Sequence, residues 1–313
     1  MNRRKFLSIL SAGFFVTFFA GCGEGSEKIL QEKNVENKIV RGDFFVEDVK
    51  LNSGYKMPVL GLGTWTLNDK QAEDAVFHAL KVGYRLIDTA RYYGNEIGVG
   101  RGVRKAVAEN ICKREEIFVT SKIMPSNYSR ADSAIENSLA DLNIEYIDLM
   151  LIHQPGANDE QAYQSLVNAS KSGKIKSIGI SNYYTPREFD RMNKIFTPAV
   201  VQNENHILYQ NTDLQTYAKK FGAVIESWYP FGGRGNTQKS FENPAIVELA
   251  KKYKKTAAQI ILRWQIQAGY IAVPGSKNPA HIEENFNIFD FELSAEDMKK
   301  ISALNKNHRF ENW

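Results

Sequence analysis

The feature that most constrains the fold of this chain is an alternation of short apolar runs with segments of helical periodicity. Strands that alternate with amphipathic helices indicate parallel βαβ units. Eight such units in roughly 270 residues predict a closed (β/α)8 TIM barrel, for which about 250 residues are typical. The eight predicted strands are PVLGLG (58–63), YRLID (84–88), IFVTSK (117–122), YIDLMLIH (146–153), SIGISN (177–182), VVQNE (200–204), AVIESWY (223–229) and YIAVPGS (270–276).

Helical periodicity is clearest in residues 71–83, 129–143 and 159–174. Gly83 and Gly173 stand just past two of these segments, where a helix commonly ends in a left-handed residue. The glycines therefore support the predicted helix ends.

An open doubly wound sheet is the alternative architecture. A GxGxxG fingerprint after the first strand would favour it. GLGTWT (61–66) follows that strand but lacks the third glycine and an immediate helix, so the barrel is the better prediction. Residues 49–60 also predict an N-terminal β-hairpin that turns at Asn52, Ser53 and Gly54.

The N-terminal segment, MNRRKFLSILSAGFFVTFFAGC, has the pattern of an export signal. A basic start precedes an apolar run from Phe6 to Ala20, which is shorter than the about 20 residues of a membrane-spanning helix. NRRKFL resembles a twin-arginine signal and FAGC resembles a lipoprotein lipobox, which implies cleavage before Cys22 and acylation of its thiol. An uncleaved membrane anchor and an apolar segment without function are the alternatives.

This pattern predicts a domain organisation and a location. We expect a signal peptide over 1–21, a polar tether over 22–43 and the barrel over 44–313. The mature protein is then anchored through the Cys22 lipid alone, on the periplasmic or extracytoplasmic face of the cell envelope.

The amino-acid composition limits the classes of protein to which this chain can belong. Hydrophobic residues make up 43% and charged residues 24% of the chain, which is typical of a folded globular protein. Loss of residues 1–21 lowers the formal charge from +4 to +1, and this balance gives no indication of nucleic-acid binding. With Cys22 acylated, Cys112 has no partner cysteine, so a disulfide framework is excluded.

Chemically active side chains collect at the ends of consecutive predicted strands. Asp88, Lys122 and His153 end the second, third and fourth strands, and Tyr93 lies in the loop after the second. Barrel active sites lie at the C-terminal strand ends, and neighbouring strands are about 4.8 Å apart. Each residue alone is as well explained by a helix cap, a surface charge or packing. Their shared position predicts one site.

Six motifs in chain order resemble those of the aldo-keto reductases, and in particular bacterial members of the 2,5-diketogluconate reductase and methylglyoxal reductase type. The resemblance runs from about Val49 to the C-terminal ENW. It implies NADPH-dependent reduction of small aldehydes and ketones, such as ketoaldehydes and keto sugars, by a monomer. The motifs are IDTARYYGNE, FVTSKIMP, DLMLIHQP, GISNY, ESWYPFGG and VPGSKNPAHIEENF.

The three strand-end residues and Tyr93 suit carbonyl reduction. A carbonyl that accepts hydride also needs a proton, and Tyr93 can donate it. The Lys122 ammonium is expected to pull the phenol pKa from about 10 toward neutrality, while Asp88 keeps Lys122 charged and in place. His153 can donate a hydrogen bond to the substrate oxygen. The hydride requires a cofactor, whereas no metal is needed and no dense ligand cluster is present.

The resemblance also implies a cofactor site. Trp228 is expected to stack on the nicotinamide, and Ser181, Asn182 and Gln202 to hydrogen-bond its carboxamide. Ser276, Glu284 and Asn285 match positions near the adenosine half, where the helix start in GSKNPAHIEEN offers free N–H groups to phosphate.

Two departures from the family pattern concern cofactor choice. Gly275 and His281 stand where many members carry the Lys and Arg that hold the 2′-phosphate of NADPH. Lys277 is expected to replace one of them. NADPH is therefore predicted as the cofactor, with NADH as a possible second one.

Substrate preference depends on the pocket wall. Gln154 stands where many members have Trp, Trp65 remains as a wall, and the tail after Ile301 is short. An open, polar pocket suits small polar carbonyl compounds. The alternative functions are an NADP(H)-binding sensor or partner-binding barrel with little turnover, and a barrel hydrolase, which the absence of metal-ligand and nucleophile motifs disfavours.

Overall fold

Eight parallel strands form the centre of the protein. The computed structural model describes residues 38–41 and 44–311, so the predicted signal peptide, Cys22 and most of the predicted tether lie outside the described residues. Each of the eight predicted strands is present, and the barrel prediction is confirmed. The strands are β4 (Gly61–Gly63), β5 (Leu86–Asp88), β6 (Phe118–Ile123), β7 (Ile147–Ile152), β8 (Ile175–Ser181), β9 (Val200–Glu204), β10 (Val224–Trp228) and β11 (Tyr270–Ala272).

The strands pair in chain order, β4 to β11. Single bridges join Leu60 to Ala272 and Gly63 to Gly275. The first strand thereby meets the last, and the sheet closes on itself as a barrel.

A small antiparallel sheet precedes the barrel. It contains β1 (Lys38–Arg41), β2 (Phe44–Lys50) and β3 (Lys56–Pro58). The β2–β3 pair is the predicted hairpin, and Gly54 in its turn has φ 90°. The strand β1 falls within the segment predicted as a tether, so the predicted boundary at residue 43 lies inside this sheet.

Eleven helices are described, and three of them match the helices predicted from periodicity. The first begins at a capping box between Asn68 and Gln71 and ends at Gly83, which has φ 123°. Within the part of the chain that the structure describes, none of the helices is both long and apolar enough to cross a bilayer. The helices are α1 (Asp69–Val82), α2 (Glu96–Ala108), α3 (Ala131–Leu142), α4 (Asp159–Lys171), α5 (Pro186–Asn193), α6 (Thr212–Lys219), α7 (Thr237–Phe241), α8 (Pro244–Tyr253), α9 (Ala257–Gln267), α10 (Pro279–Phe286) and α11 (Ala295–Ser302).

The inside of the barrel changes from apolar to polar along the strands. Near the N-terminal strand ends, Leu86, Phe118 and Val200 belong to a buried apolar cluster that the hairpin also contacts. Because side chains two and four residues apart lie on one face of a strand, Asp88 follows Leu86 on the inward face and Lys122 follows Phe118. The polar end of the barrel is therefore its C-terminal mouth.

Glycines let α2 lie in backbone contact with the neighbouring helices. A Cβ atom at Gly98 would overlap the Asp69 carbonyl of α1, and one at Gly100 would overlap the Leu142 carbonyl at the end of α3. These helices flank the loop that carries Tyr93. The small residues therefore set the spacing of the elements around it.

We expect Gly100→Ala to destabilise the protein, although Ala in a helix interior is normally preferred over Gly by about 1 kcal/mol. The added methyl group would push α2 from α3, and overpacking of this kind typically costs about 1–3 kcal/mol. Urea unfolding measures the change. Ile97→Ala, at a position 45% exposed on the same helix, is the control and should stay within about 0.5 kcal/mol of the parent. A Gly100→Ala protein more stable than the parent would contradict the packing argument.

Candidate active site

The centre of the site is a fully buried lysine. The Lys122 ammonium donates to both carboxylate oxygens of Asp88, at 2.7 and 2.8 Å, and to the Thr89 carbonyl at 2.8 Å. It also lies 3.2 Å from the Tyr93 hydroxyl. Burial alone would lower the pKa of Lys122, but Asp88 and Tyr93 outweigh it and the pKa is raised. The lysine is therefore a fixed cation.

Tyr93 does not have the acidity that the sequence predicted. Lys122 does lower its pKa, but burial has the larger effect and raises the pKa of Tyr93 to about 12. The expectation of a pKa near neutrality is therefore wrong, because burial destabilises the phenolate by more than the single neighbouring cation stabilises it. The hydroxyl is protonated at neutral pH, as a proton donor must be.

His153 directly follows β7 and faces Tyr93 across the cavity. The two ring centroids are 5.9 Å apart with an edge-on orientation. Burial, together with the charge of Lys122, lowers the pKa of His153 to about 3, so the imidazole is neutral. Its Nδ1 is buried without a hydrogen-bond partner among the described residues, which leaves Nε2 to face the cavity.

A cavity of about 420 Å³ opens at the C-terminal mouth, beside these residues. Its lining joins the catalytic candidates Asp88, Tyr93 and His153 to both predicted pocket residues, Trp65 and Gln154. Six of the nine predicted cofactor residues also line it: Ser181, Asn182, Gln202, Trp228, Ser276 and Lys277.

The other three predicted cofactor residues lie on α10, outside that lining. His281 is exposed and Asn285 is buried. Glu284 accepts a hydrogen bond from Thr256 at 2.7 Å. Ser276 and Lys277 stand just before α10, so the cavity reaches the start of this helix but not its body.

Asn182 is held by the protein on both sides of its amide. Its oxygen accepts from the Trp228 indole at 3.2 Å and from the Tyr184 hydroxyl at 3.0 Å. Its nitrogen donates to the His153 carbonyl at 2.8 Å and to the Ser181 hydroxyl oxygen at 3.3 Å. Asn182 thus connects the predicted stacking residue to the histidine loop.

Gln202 lies beneath the same part of the cavity and contacts a carboxyl group that the sequence reasoning missed. Its Nε2 donates to Asp88 at 2.7 Å and to Glu226 at 2.8 Å. Burial, with a further contribution from Asp88, raises the pKa of Glu226 to about 8. One signal was available, because Glu226 is an acid inside an apolar strand and shares a face with Trp228.

One wall of the cavity is aromatic. Trp65 stacks on Tyr92 with ring centroids 5.6 Å apart and contacts Tyr93 at 4.8 Å. The Tyr128 hydroxyl donates to the backbone carbonyl of Gln154 at 2.6 Å and accepts from the backbone N–H of Gln154 at 3.2 Å. The backbone that follows His153 is therefore clamped.

Arg234 lines the cavity, and the sequence reasoning missed this residue as well. It is exposed on a loop after β10 in which Gly232, Gly233 and Gly235 all have positive φ. The glycine-rich loop has no periodicity that would have placed it at the cavity. Across residues 38–41 and 44–311, no group of three or more His, Cys, Asp and Glu side chains could hold a metal ion.

Comparison with known proteins gives the family. The model of the aldo/keto reductase family matches residues 59–306. The chain is 39% identical to methylglyoxal reductase DkgA of Yersinia pestis over 264 residues, 82% of this chain and 92% of that protein. It is 35% identical to the NAD(P)H-dependent D-xylose reductase I,II of Candida tropicalis over 305 residues, 85% of this chain and 94% of that one.

A solved structure gives the same result. The Bombyx mori aldo-keto reductase in complex with NADP superposes with a TM-score of 0.79 at 31% identity, over 85% of this chain and 94% of that one. The chain belongs to the aldo/keto reductase family.

We expect Lys122→Met to lower the free energy of unfolding by about 3–5 kcal/mol, because it leaves the Asp88 carboxylate buried without its cation. Denaturant unfolding measures this loss. The double variant Asp88→Asn/Lys122→Met removes both charges and should lose less than Lys122→Met alone. Losses that simply add across Asp88→Asn, Lys122→Met and the double variant would contradict a coupled buried pair.

Proposed function

We propose that this protein reduces small polar carbonyl compounds, ketoaldehydes and keto sugars among them, to alcohols with NADPH. Carbonyl reduction with NADP(H) is the chemistry of the family to which the chain belongs. The observation that carries the proposal is the contact between the Lys122 ammonium and the Tyr93 hydroxyl, in a cavity that His153 also lines.

The proposed mechanism divides proton transfer, orientation and charge stabilisation among four side chains. His153 donates a hydrogen bond from Nε2 to the substrate carbonyl oxygen and orients it. The nicotinamide supplies hydride to the carbonyl carbon when the cofactor is bound. Tyr93 gives its hydroxyl proton to the oxygen, so that one hydride and one proton make the alcohol. Lys122, held by Asp88, stabilises the phenolate that remains.

The cavity residues fit a dinucleotide of this kind. Trp228 offers an aromatic face beside Ser181 and Gln202, which suits a ring that bears a carboxamide. Ser276 and Lys277 also line the cavity, and their hydroxyl and ammonium groups suit phosphate. We propose that Lys277 favours NADPH over NADH, with weaker discrimination than in members that hold the 2′-phosphate with two basic side chains.

The proposed substrate class rests on the shape and polarity of the pocket. Trp65 and Tyr92 form an aromatic wall, while Gln154 adds a polar side chain near His153. The relatives act on methylglyoxal and D-xylose according to their names, and these are small polar carbonyl compounds. A binding module with little turnover remains the competing function, and the following experiment separates the two.

We expect Tyr93→Phe to lower kcat for methylglyoxal reduction by about 10²- to 10⁴-fold, the usual contribution of a general acid. Loss of NADPH absorbance at saturating cofactor measures the rate. Tyr92→Phe is the matched control, because it removes the adjacent phenolic oxygen but keeps the ring in the aromatic wall. Tyr92 is 54% exposed, so kcat should change little. Equal rates for Tyr93→Phe and the parent would refute the mechanism. A parent that binds NADPH but reduces no small aldehyde would favour the binding module.

We also propose that the mature protein is held at the cell envelope by a lipid on Cys22. The NRRKFL and FAGC motifs support this proposal. Twin-arginine export carries folded proteins, so a bound cofactor would travel with the barrel.

We expect Cys22→Ala to move the protein from the membrane fraction to the soluble fraction of lysed cells, because a covalent lipid provides the anchor. Immunoblotting of the two fractions measures the distribution. Cys112→Ala, which changes the other cysteine of the chain, should stay with the membrane. Unchanged membrane fractionation of Cys22→Ala would refute the lipid anchor.

A further inference from the structure

Glu226 is a fully buried carboxyl group to which the mechanism above gives no role. It lies on β10, in register with Gln202 on β9, and its side chain is 0% exposed. Its Oε2 accepts from Gln202, while its Oε1 has no hydrogen-bond partner among the described residues. A buried polar atom without a partner is costly, which indicates that this carboxyl group has a role that offsets the cost.

The carboxyl group completes a pair of acceptors around one amide nitrogen. Gln202 Nε2 has two hydrogens, and it donates to Asp88 at 2.7 Å and to Glu226 at 2.8 Å. A glutamine amide has two donors on nitrogen and one acceptor oxygen. With both donors used inside the barrel, Oε1 is the atom that Gln202 has left for the cavity it lines.

Two hydrogen bonds constrain an amide in a way that one cannot. The last torsion of a glutamine side chain has broad preferences of its own. A single bond to Asp88 would keep the nitrogen inward but let the amide plane pivot about that bond. A second bond in another direction, to Glu226, fixes the plane and therefore the direction in which Oε1 points.

The fixed oxygen has a complementary neighbour. Ser181 on β8 is in register with Gln202, and its hydroxyl oxygen accepts from Asn182 at 3.3 Å, which leaves the hydroxyl proton to donate. A donor beside an acceptor matches a carboxamide, whose oxygen accepts and whose nitrogen donates. If the Gln202 amide were turned the other way, its nitrogen would face the cavity. Ser181 and Gln202 would then both be donors, and the match to a carboxamide would be lost.

We propose that Glu226 is a positioning residue, whose carboxyl group fixes the plane of the Gln202 amide so that Ser181 and Gln202 hold the nicotinamide carboxamide in one orientation. The inference rests on the proposed function, since it assumes that the nicotinamide end of the cofactor lies over these strands. The raised pKa of Glu226 is consistent with it, because a protonated carboxyl group accepts through a neutral oxygen, as a glutamine at this position also would.

Cofactor binding in a set of variants tests the inference. Glu226→Met keeps the approximate volume but removes the acceptor, whereas Glu226→Gln keeps an acceptor oxygen. We expect Glu226→Met to raise the Kd for NADPH about three- to tenfold, the usual value of one hydrogen bond, and Glu226→Gln to stay close to the parent. Fluorescence titration measures Kd. If Glu226→Met does not fold, Glu226→Ala takes its place with the same expectation.

Two controls separate positioning from a general structural role. Adenosine 2′,5′-bisphosphate lacks the nicotinamide, so its Kd, measured by competition, should be unchanged in Glu226→Met. The double variant Gln202→Leu/Glu226→Met should bind NADPH no more weakly than Gln202→Leu alone, because Glu226 is inferred to act through Gln202.

Three results would overturn the inference: an unchanged NADPH Kd in Glu226→Met, an equal loss in Glu226→Gln, or losses that add in the double variant. Reduction of methylglyoxal by the parent protein is measured alongside. Absence of turnover there removes the proposed function, whereas the Kd comparison decides the role of Glu226 independently.

Discussion

The site depends on a lysine ammonium that has been taken out of water. Removal of an isolated charge from water into a protein interior costs several kcal/mol, and Lys122 is tolerated because Asp88, the Thr89 carbonyl and the Tyr93 hydroxyl replace its hydration shell. All three partners come from the end of β5 and the loop that follows it, so the ammonium on β6 is paired only when these two strands lie side by side. Fold and function therefore share this contact, because the ammonium that would stabilise a phenolate is stable in the interior only when β5 and β6 are paired as in the native barrel.

The barrel accommodates the charge by confining polarity to one end. Apolar side chains fill the N-terminal half of the interior. Asp88, Gln202 and Glu226 occupy the C-terminal half, where the Gln202 amide nitrogen donates to both carboxyl groups. The polar layer thus separates a packed apolar core from the cavity. The same low-dielectric surroundings that raise the pKa of Tyr93 and lower that of His153 strengthen each electrostatic contact with a substrate oxygen.

The architecture and the four catalytic candidates were predictable from the sequence. An apolar run stops where a strand ends, and a parallel barrel gathers the strand ends and the loops after them at one mouth. The pKa of Tyr93 was not predictable, because it depends on the balance between burial of the hydroxyl and the charge of Lys122. A sequence motif does not show how deeply a side chain is buried. Glu226 and Arg234 were missed for different reasons. The first shows only as an acid on the inward face of a strand, and the second lies in a loop whose course depends on glycines with positive φ.

A series of contacts connects the C-terminal tail to residues that line the cavity. The buried Glu204 carboxylate accepts from the backbone N–H groups of Phe310 and Glu311, at 2.6 and 3.1 Å. The guanidinium of Arg309, the preceding residue of the tail, lies 3.6 Å from the centroid of the Tyr184 ring. The Tyr184 hydroxyl in turn donates to Asn182, which also accepts from the Trp228 indole. Each side chain in this series of contacts restrains the next one. The tail would therefore help to hold Trp228, the proposed stacking residue, in place without lining the pocket itself.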